Sequence, residues 1–302
     1  MIRVGVAGWD YPDWSGLVYP AHATRAFDRL AFLATYFDVI EINSSFYRIP
    51  SPATTRSWAS RVSSTGCFSF TAKLHRDLTH LSPGRAGDEA MPPPEEGAAR
   101  YREAVEPLRE AGRLGAVLMQ FPHAFHDRPQ ARERLQQLAD LLRGLPLVAE
   151  FRHRSWDHAD ALQFLHDLGV GFCNIDQPNL GSTLRSTGHV TSPNAYVRLH
   201  GRNADAWFRP DATVAQRYDY LYSEEELRPW AERAERMAER AEEVFIVANN
   251  HYRGKAPTNA LMLKAALTHR QVAAPPELLA AYPVLASKAV ARASGPEQRN
   301  LF

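Results

Sequence analysis

Short apolar runs recur along almost the whole chain: Ile2–Gly8, Val39–Asn43, Cys67–Lys73, Ala116–Gln120, Leu147–Arg152, Gly171–Asp176, Ala195–His200 and Val244–Asn249. Each has the length of a strand. Most gaps between them carry apolar residues at helical spacing. Thr24–Phe37 has Phe27, Leu30, Ala31, Ala34 and Phe37; Arg132–Leu142 has Leu135, Leu138, Leu141 and Leu142; Ala159–Leu168 has Leu162, Leu165 and Leu168. Glu224–Glu243 is charge-laced and opens on Ser223 with Glu226, the spacing of a capping box. Pro257–Leu267 follows the last run. Gly112, Gly144 and Gly169 fall just past helix ends, where a left-handed residue is wanted. Strands and helices in alternation imply a parallel sheet. Eight such units in about 270 residues fit a (β/α)8 TIM barrel. A doubly wound open sheet is the alternative, but no glycine-rich dinucleotide fingerprint follows the first run.

Two stretches leave this pattern. Residues 82–97 read as a long mobile loop after the third strand, on the face where barrel enzymes keep their lids. Residues 271–302 read as a C-terminal extension and flexible tail behind a single barrel domain spanning 1–270. The 302 residues are 45% hydrophobic, with a net charge of +1. Such a chain can bury a large core without staples. Its charge balance predicts no strong global field for nucleic acid, so any anion site is local. Cys67 and Cys173 fall inside predicted strands, as buried thiols of a reducing compartment do. The N-terminus enters a strand almost at once, without a charged leader, and no apolar run is long enough to span a membrane. The expectation is a cytoplasmic protein with no membrane partner.

Strand parity locates the candidate chemistry. Outward residues of a barrel strand meet helices and are mostly apolar, while inward residues at the C-terminal strand ends line the active site. With Ile40, Ile42, Phe70, Ala72, Val117, Met119, Cys173, Ile175, Val197 and Leu199 outward, the inward set is polar. It comprises Glu41, Asn43, Lys73, Gln120, Glu150, Arg152, Asn174, Asp176, Arg198 and His200, and Asn249, Asn250 and His251 end the eighth strand. Unpaired buried charge is expensive, so this collection marks either a functional mouth or an ion-pair lattice plugging the barrel. The following loops add Trp9, Tyr11, Trp14, Phe46, Tyr47, Phe121, Phe125, Trp156, Trp207, Phe208 and Tyr252. Aromatics beside arginine at a mouth suit stacking on sugars or bases as well as core packing.

The chain resembles the YecE-like family of domain-of-unknown-function 72 proteins. The resemblance rests on Gly8-Trp9-Asp10-Tyr11-Pro12-Asp13-Trp14, Glu41-Ile-Asn-Ser-Ser-Phe-Tyr-Arg48, Phe70-Thr-Ala-Lys73 with Thr79-His80, Gln120-Phe-Pro122, Glu150-Phe-Arg-His-Arg-Ser-Trp156, Tyr196-Val-Arg-Leu-His-Gly201 and Asn249-Asn-His251 with Ala256-Pro-Thr-Asn-Ala260. These motifs run in order from the first strand to the last helix. The resemblance implies a TIM barrel and supplies no activity. Its barrel looks like those of endonuclease IV and xylose isomerase, an analogy of fold alone.

Three functional classes remain open. The first is a hydrolase or lyase acting on a phosphorylated or nucleic-acid substrate. Arg152, Arg198, Lys73 and the loop residues Arg154, Arg202 and Arg253 would hold phosphate. Glu41, Glu150, Asp176, His200 and His251 would hold a divalent ion such as zinc, manganese or magnesium. No close ligand spacing such as His-Glu-x-x-His supports the ion, and the neighbouring cations are placed to neutralise the same carboxylates. The second is metal-free acid–base chemistry on a sugar or sugar phosphate, with Glu41 and Glu150 as the carboxylate pair and Lys73 tuning one of them. The third is a non-catalytic ligand- or DNA-binding module. Across the first two, Glu41, Lys73, Glu150, Asp176 and His200 are the catalytic candidates; Trp9, Asn43, Tyr47, Gln120, Arg152, Arg198, Asn250 and His251 are the substrate-binding ones. At the C-terminus, Gln298-Arg-Asn-Leu-Phe302 resembles the Gln-x-x-Leu-Phe peptides by which bacterial replication and repair proteins dock on the sliding clamp. Gln298, Leu301 and Phe302 would be its anchors, or the tail folds back on its own barrel.

Overall fold

Eight parallel strands close on themselves: β1 (Ile2–Ala7), β2 (Val39–Ile42), β3 (Ser69–Lys73), β4 (Leu114–Gln120), β5 (Leu147–Glu150), β6 (Gly171–Asp176), β7 (Asn194–Leu199) and β8 (Glu243–Ala248). The structure, a computed structural model, describes residues 1–80, 93–207, 209 and 211–292. Each strand pairs with its neighbours in sequence, and β1 pairs with both β2 (Ala7 opposite Glu41) and β8 (Ile2 opposite Val244), which closes the (β/α)8 TIM barrel. Closure removes sheet edges, so every strand is buried on both faces and reads as a nearly continuous apolar run. The floor of the barrel is tightly filled. A Cβ at Gly115 would lie 2.5 Å from the Phe245 ring, and that ring packs 6.0 Å from Tyr196.

The helical layer matches the sequence pattern in its later elements. Pro129–Leu141, Ala159–Asp167, Glu224–Ala238 and Lys255–Thr268 are helices. Ser223 and Glu226 form the anticipated capping box. Gly112, Gly144 and Gly169 have positive φ at helix ends. The early chain differs. Only Arg29–Leu33 of the segment expected over 24–37 is helical, because the Asp28 carboxylate caps Ala31 N–H and pairs with Arg61, fixing the start at residue 29. Two unanticipated helices, Pro52–Arg61 and Pro94–Glu110, fill the gaps after β2 and β3. Both begin with proline at their first position, where its missing N–H costs nothing, and Glu95 and Glu96 complement the second helix's dipole. Residues 94–97, expected in a loop, are therefore helical, while 81–92 lie outside the described residues. Cys173 is buried as expected, whereas Cys67 is exposed, two residues before β3 begins.

Residues 271–292 do not trail away. Val272–Ala274 (β9) and Ala289–Ala291 (β10) make a small parallel sheet around the helix Pro276–Ala281. Val272, Ala274, Leu278, Leu285 and Ala289 are buried, and Tyr36 donates its hydroxyl hydrogen to Arg292 O at 2.7 Å. The Gln298–Phe302 peptide lies outside the described residues. Among the described residues, no helix is long and apolar enough to cross a membrane.

Candidate functional site

The C-terminal ends of β2, β5 and β7 meet on one guanidinium. Arg198, from β7, donates from Nη2 to Glu41 Oε1 and from Nη1 to Glu150 Oε2, both at 2.6 Å, and reaches Gln120 Oε1 at 3.3 Å. Arg198 is 1% exposed and both glutamates are fully buried. The second Glu41 oxygen accepts from Tyr196 Oη at 2.9 Å, and Thr71 supports that hydroxyl at 2.6 Å. Tyr196, Arg198 and His200 thus line the same face of β7, at period two. Charge-assisted bonds hold both terminal nitrogens of the guanidinium, while Arg198 Nε is buried without a hydrogen-bond partner among the described residues.

The other face of Glu150 is less complete. Arg152 Nη2 approaches Oε1 at 2.7 Å and His200 Nε2 lies 3.4 Å from it, yet neither meets hydrogen-bond angles. Glu150 Oε1 and His200 Nε2 are buried polar atoms without a hydrogen-bond partner among the described residues. Asn249 contacts His200 Nδ1 at 3.0 Å. With its amide donating there, Nε2 carries the ring proton and faces a carboxylate oxygen. The two atoms are 3.4 Å apart and both buried, in contact with each other beneath the mouth. Burial raises the Glu150 carboxyl, but Arg152 and Arg198 outweigh it and hold the group well below the usual carboxylate range. Burial, then Arg152, lowers His200 to about 3, so its imidazole is neutral.

Lys73 ends β3 beside this centre. Its Nζ lies 4.3 Å from the Phe46 ring centroid, and the side chain makes no ion pair among the described residues. Burial, and then the Arg198 charge, lowers it to about 8. Over the centre opens a cavity of about 230 Å³ lined by Gln120, Arg152, Gln177, Trp207, Arg217 and Tyr218, among others. Arg152 bonds to Gln177 Oε1 at 3.3 Å and stacks at 5.7 Å on Trp207. Arg217 Nε is buried without a hydrogen-bond partner among the described residues. The wall continues through Tyr218, His251 (5.3 Å) and Tyr11 (4.5 Å, stacked). A wider cleft of about 750 Å³ leads off the mouth beside Tyr47, Arg48, Trp58, His75 and Arg100.

Residues 3–281 match the family described as "Protein of unknown function DUF72". The chain belongs to the DUF72 family. It is 27% identical over 268 residues to the UPF0759 protein YunF of Bacillus subtilis, covering 86% of this chain and 92% of that one. A crystal structure of a DUF72 family protein from Thermotoga maritima is 35% identical, with a TM-score of 0.77 over 89% of this chain and 99% of its own. One from Enterococcus faecalis is 26% identical, also with a TM-score of 0.77, over 89% of this chain and 96% of its own.

In this DUF72 barrel the sequence candidates divide. Glu41, Lys73, Gln120, Glu150, Arg152, Arg198 and His200 share the mouth. Asn43 bonds to Tyr11, and His251 stacks on that ring at the rim. Trp9 packs edge-on against Trp58 at 5.3 Å, and Tyr47 is 68% exposed in the wider cleft. Strand β6 corrects the parity argument. Cys173 Sγ approaches Glu150 at 3.9 Å, so Cys173 faces inward, and Asn174 and Asp176 face the helices. Asp176 accepts from Trp230 Nε1, Tyr222 Oη and both sides of the Arg202 fork. The outward-is-apolar rule fails there because the helix Glu224–Ala238 presents a tryptophan N–H. Asn250 likewise turns outward, donating to Tyr220 O and Asn259 Oδ1 at 2.8 Å. Asn249, its neighbour, is the residue that reaches His200.

The five candidate metal ligands do not converge. Glu41 and Glu150 are paired with arginine, Asp176 is turned outward and His251 lies against Tyr11. Among the described residues, no group of three or more His, Cys, Asp or Glu is placed to hold an ion. Sequence reasoning missed Tyr196 and Thr71, which the same parity would have found. It also missed Arg217 and Tyr218, which arrive on the long β7–β8 connection and carry no strand signal.

Proposed function

We propose that this protein is an enzyme acting on a small phosphorylated substrate by acid–base chemistry at the C-terminal mouth. The observation that supports this is the cavity above the buried triad, which combines two arginines with an aromatic wall. Three cations, Arg152, Arg198 and Lys73, face two carboxylates there, which favours an anion. Trp207 and Tyr218 suit the apolar face of a sugar. Both terminal nitrogens of Arg198 are held by its carboxylates and Arg198 does not line the cavity, so Arg152 and Arg217, which do, are the phosphate-binding pair. Ionised Glu150 and neutral His200 fix the polarity of the floor, and Lys73 is the group able to exchange protons near neutral pH.

Calorimetric titration with a panel of sugar phosphates tests this reading. Arg217→Ala touches neither carboxylate and removes one charge-assisted contact, so affinity should fall about ten- to a hundredfold with the fold unchanged. Unchanged affinity would sink the assignment of the cavity. The wider cleft, with Tyr47, Trp58, Arg48 and Arg100, favours a second reading in which the phosphate belongs to a nucleic-acid strand. In that reading Gln298–Phe302 tethers the enzyme to the sliding clamp. Deleting those five residues should abolish clamp binding in a pull-down with purified clamp and leave thermal stability unchanged.

A further inference from the structure

The chain holds only four lysines among its 35 basic residues: Lys73, Lys255, Lys264 and Lys288. Lys255 pairs with Asp219, Lys264 with Asp38 and Lys288 with Glu224. Lys73 alone has no carboxylate within ion-pair distance among the described residues, and it is the buried one, 8% exposed at the mouth. Its backbone is fixed, since Ser45 Oγ and Tyr101 Oη both donate to Lys73 O, at 2.7 and 3.1 Å. Its ammonium meets the face of Phe46, whose ring also packs edge-on against His80 at 5.1 Å. The other three lysines each hold a carboxylate, whereas among the described residues no carboxylate lies within ion-pair distance to hold the proton on Lys73, and a lysine, unlike an arginine, can lose it when buried.

We propose that Lys73 is a nucleophile that forms a Schiff base with the carbonyl carbon of a phosphorylated aldehyde or ketone. The proposal rests on the reading of the mouth as an active site. Neutral Nζ attacks the carbonyl carbon, forming the C–N bond, the C=O π electrons move to oxygen, and a proton passes from the now cationic nitrogen to that oxygen to give the carbinolamine. Its hydroxyl then leaves as water with one proton taken from solvent, and the nitrogen lone pair closes the C=N bond of the protonated imine. One water is released and no redox partner is needed. The environment favours the neutral amine: burial and Arg198 lower Lys73, and Arg152 adds to them against Glu41 and Glu150. Burial, followed by the Lys73 charge, lowers the neighbouring His80, leaving a neutral imidazole to relay the protons. A lysine desolvated beside another cation is a recognised way to make an amine nucleophilic at neutral pH.

The test is reductive trapping on the full chain. The protein is incubated with glyceraldehyde 3-phosphate, reduced with borohydride and mapped by peptide mass spectrometry. Lys73 should acquire the adduct at least about tenfold faster than Lys255, Lys264, Lys288 or the N-terminus, with a rate that levels off above pH about 8. Glycerol 3-phosphate, which has no carbonyl, should protect it. Lys73→Arg, checked for folding by circular dichroism, should remove the adduct while keeping the charge. Label confined to the other amines, or no faster at Lys73, overturns the proposal. If glycerol 3-phosphate still binds through Arg217 in that case, the active-site reading survives without the Schiff base. If it does not bind, both fall.

Discussion

Arg198→Met should cost the barrel about 3–5 kcal/mol of stability, read as a lower urea midpoint at neutral pH. The size follows from what is left behind. Methionine fills much of the volume but leaves Glu41 and Glu150 buried without the guanidinium that bonds to both at 2.6 Å. Arg152 still approaches Glu150 Oε1. Among the described residues, Glu41 keeps only the Tyr196 hydroxyl, a neutral donor. Lys73 is too short a point charge to span both carboxylates as the planar fork does. The variant should therefore recover part of its loss as pH falls toward 5, where protonation relieves the stranded charge. Adding Glu41→Gln to Arg198→Met should restore part of the stability at neutral pH. A loss below about 1 kcal/mol would mean that water replaces the guanidinium and that the centre is wetter than its burial indicates.

The second large effect is a pH dependence set by His200. Its folded-state value is lowered to about 3 against 6.5 in the open chain, chiefly by burial. Between those values the unfolded chain binds a proton that the folded chain refuses, so stability rises with pH across the window. At about 1.4 kcal/mol per unit, this one group removes roughly 2–3 kcal/mol between pH 6.5 and 4.5. Glu150, whose folded value is depressed, contributes stability that is present above 4.5 and lost only on further acidification. The two windows are therefore separable. His200→Gln retains an amide near Asn249 and Glu150 and cannot titrate. Urea midpoints of that variant should fall clearly less steeply from pH 6.5 to 5 than those of wild type, the remaining slope coming from His80, His123, His153 and His251, whose values are also lowered. Parallel curves for the two proteins would assign the acid sensitivity to other groups.

How much of this was legible in the chain differs element by element. The eight strands were visible because strands buried on both faces must be apolar throughout, whatever their neighbours. Closure into a barrel followed from their alternation with helices. Glu41, Lys73, Glu150, Arg198 and His200 could be placed on the inner face because a charged residue inside an apolar run has few places to go. Where a polar residue has a second option, parity gave no answer. Asp176 looks like Glu150 in sequence, yet Trp230, Tyr222 and Arg202, from 54, 46 and 26 residues away, provide a pocket on the helix side. Asn249 and Asn250 exchange roles for the same reason: Asn259 waits outside the barrel and His200 inside.

The sequence by itself determined the barrel, the face that carries the polar groups and the family, since each depends on a local period or on motifs in order. Only the tertiary structure decided which charges neutralise one another. Arg198 pairs with two carboxylates, from β2 and β5, and Lys73 has no ion-pair partner among the described residues. That outcome depends on distances between strands whose paired residues are 157 and 48 positions apart, and no local pattern encodes them.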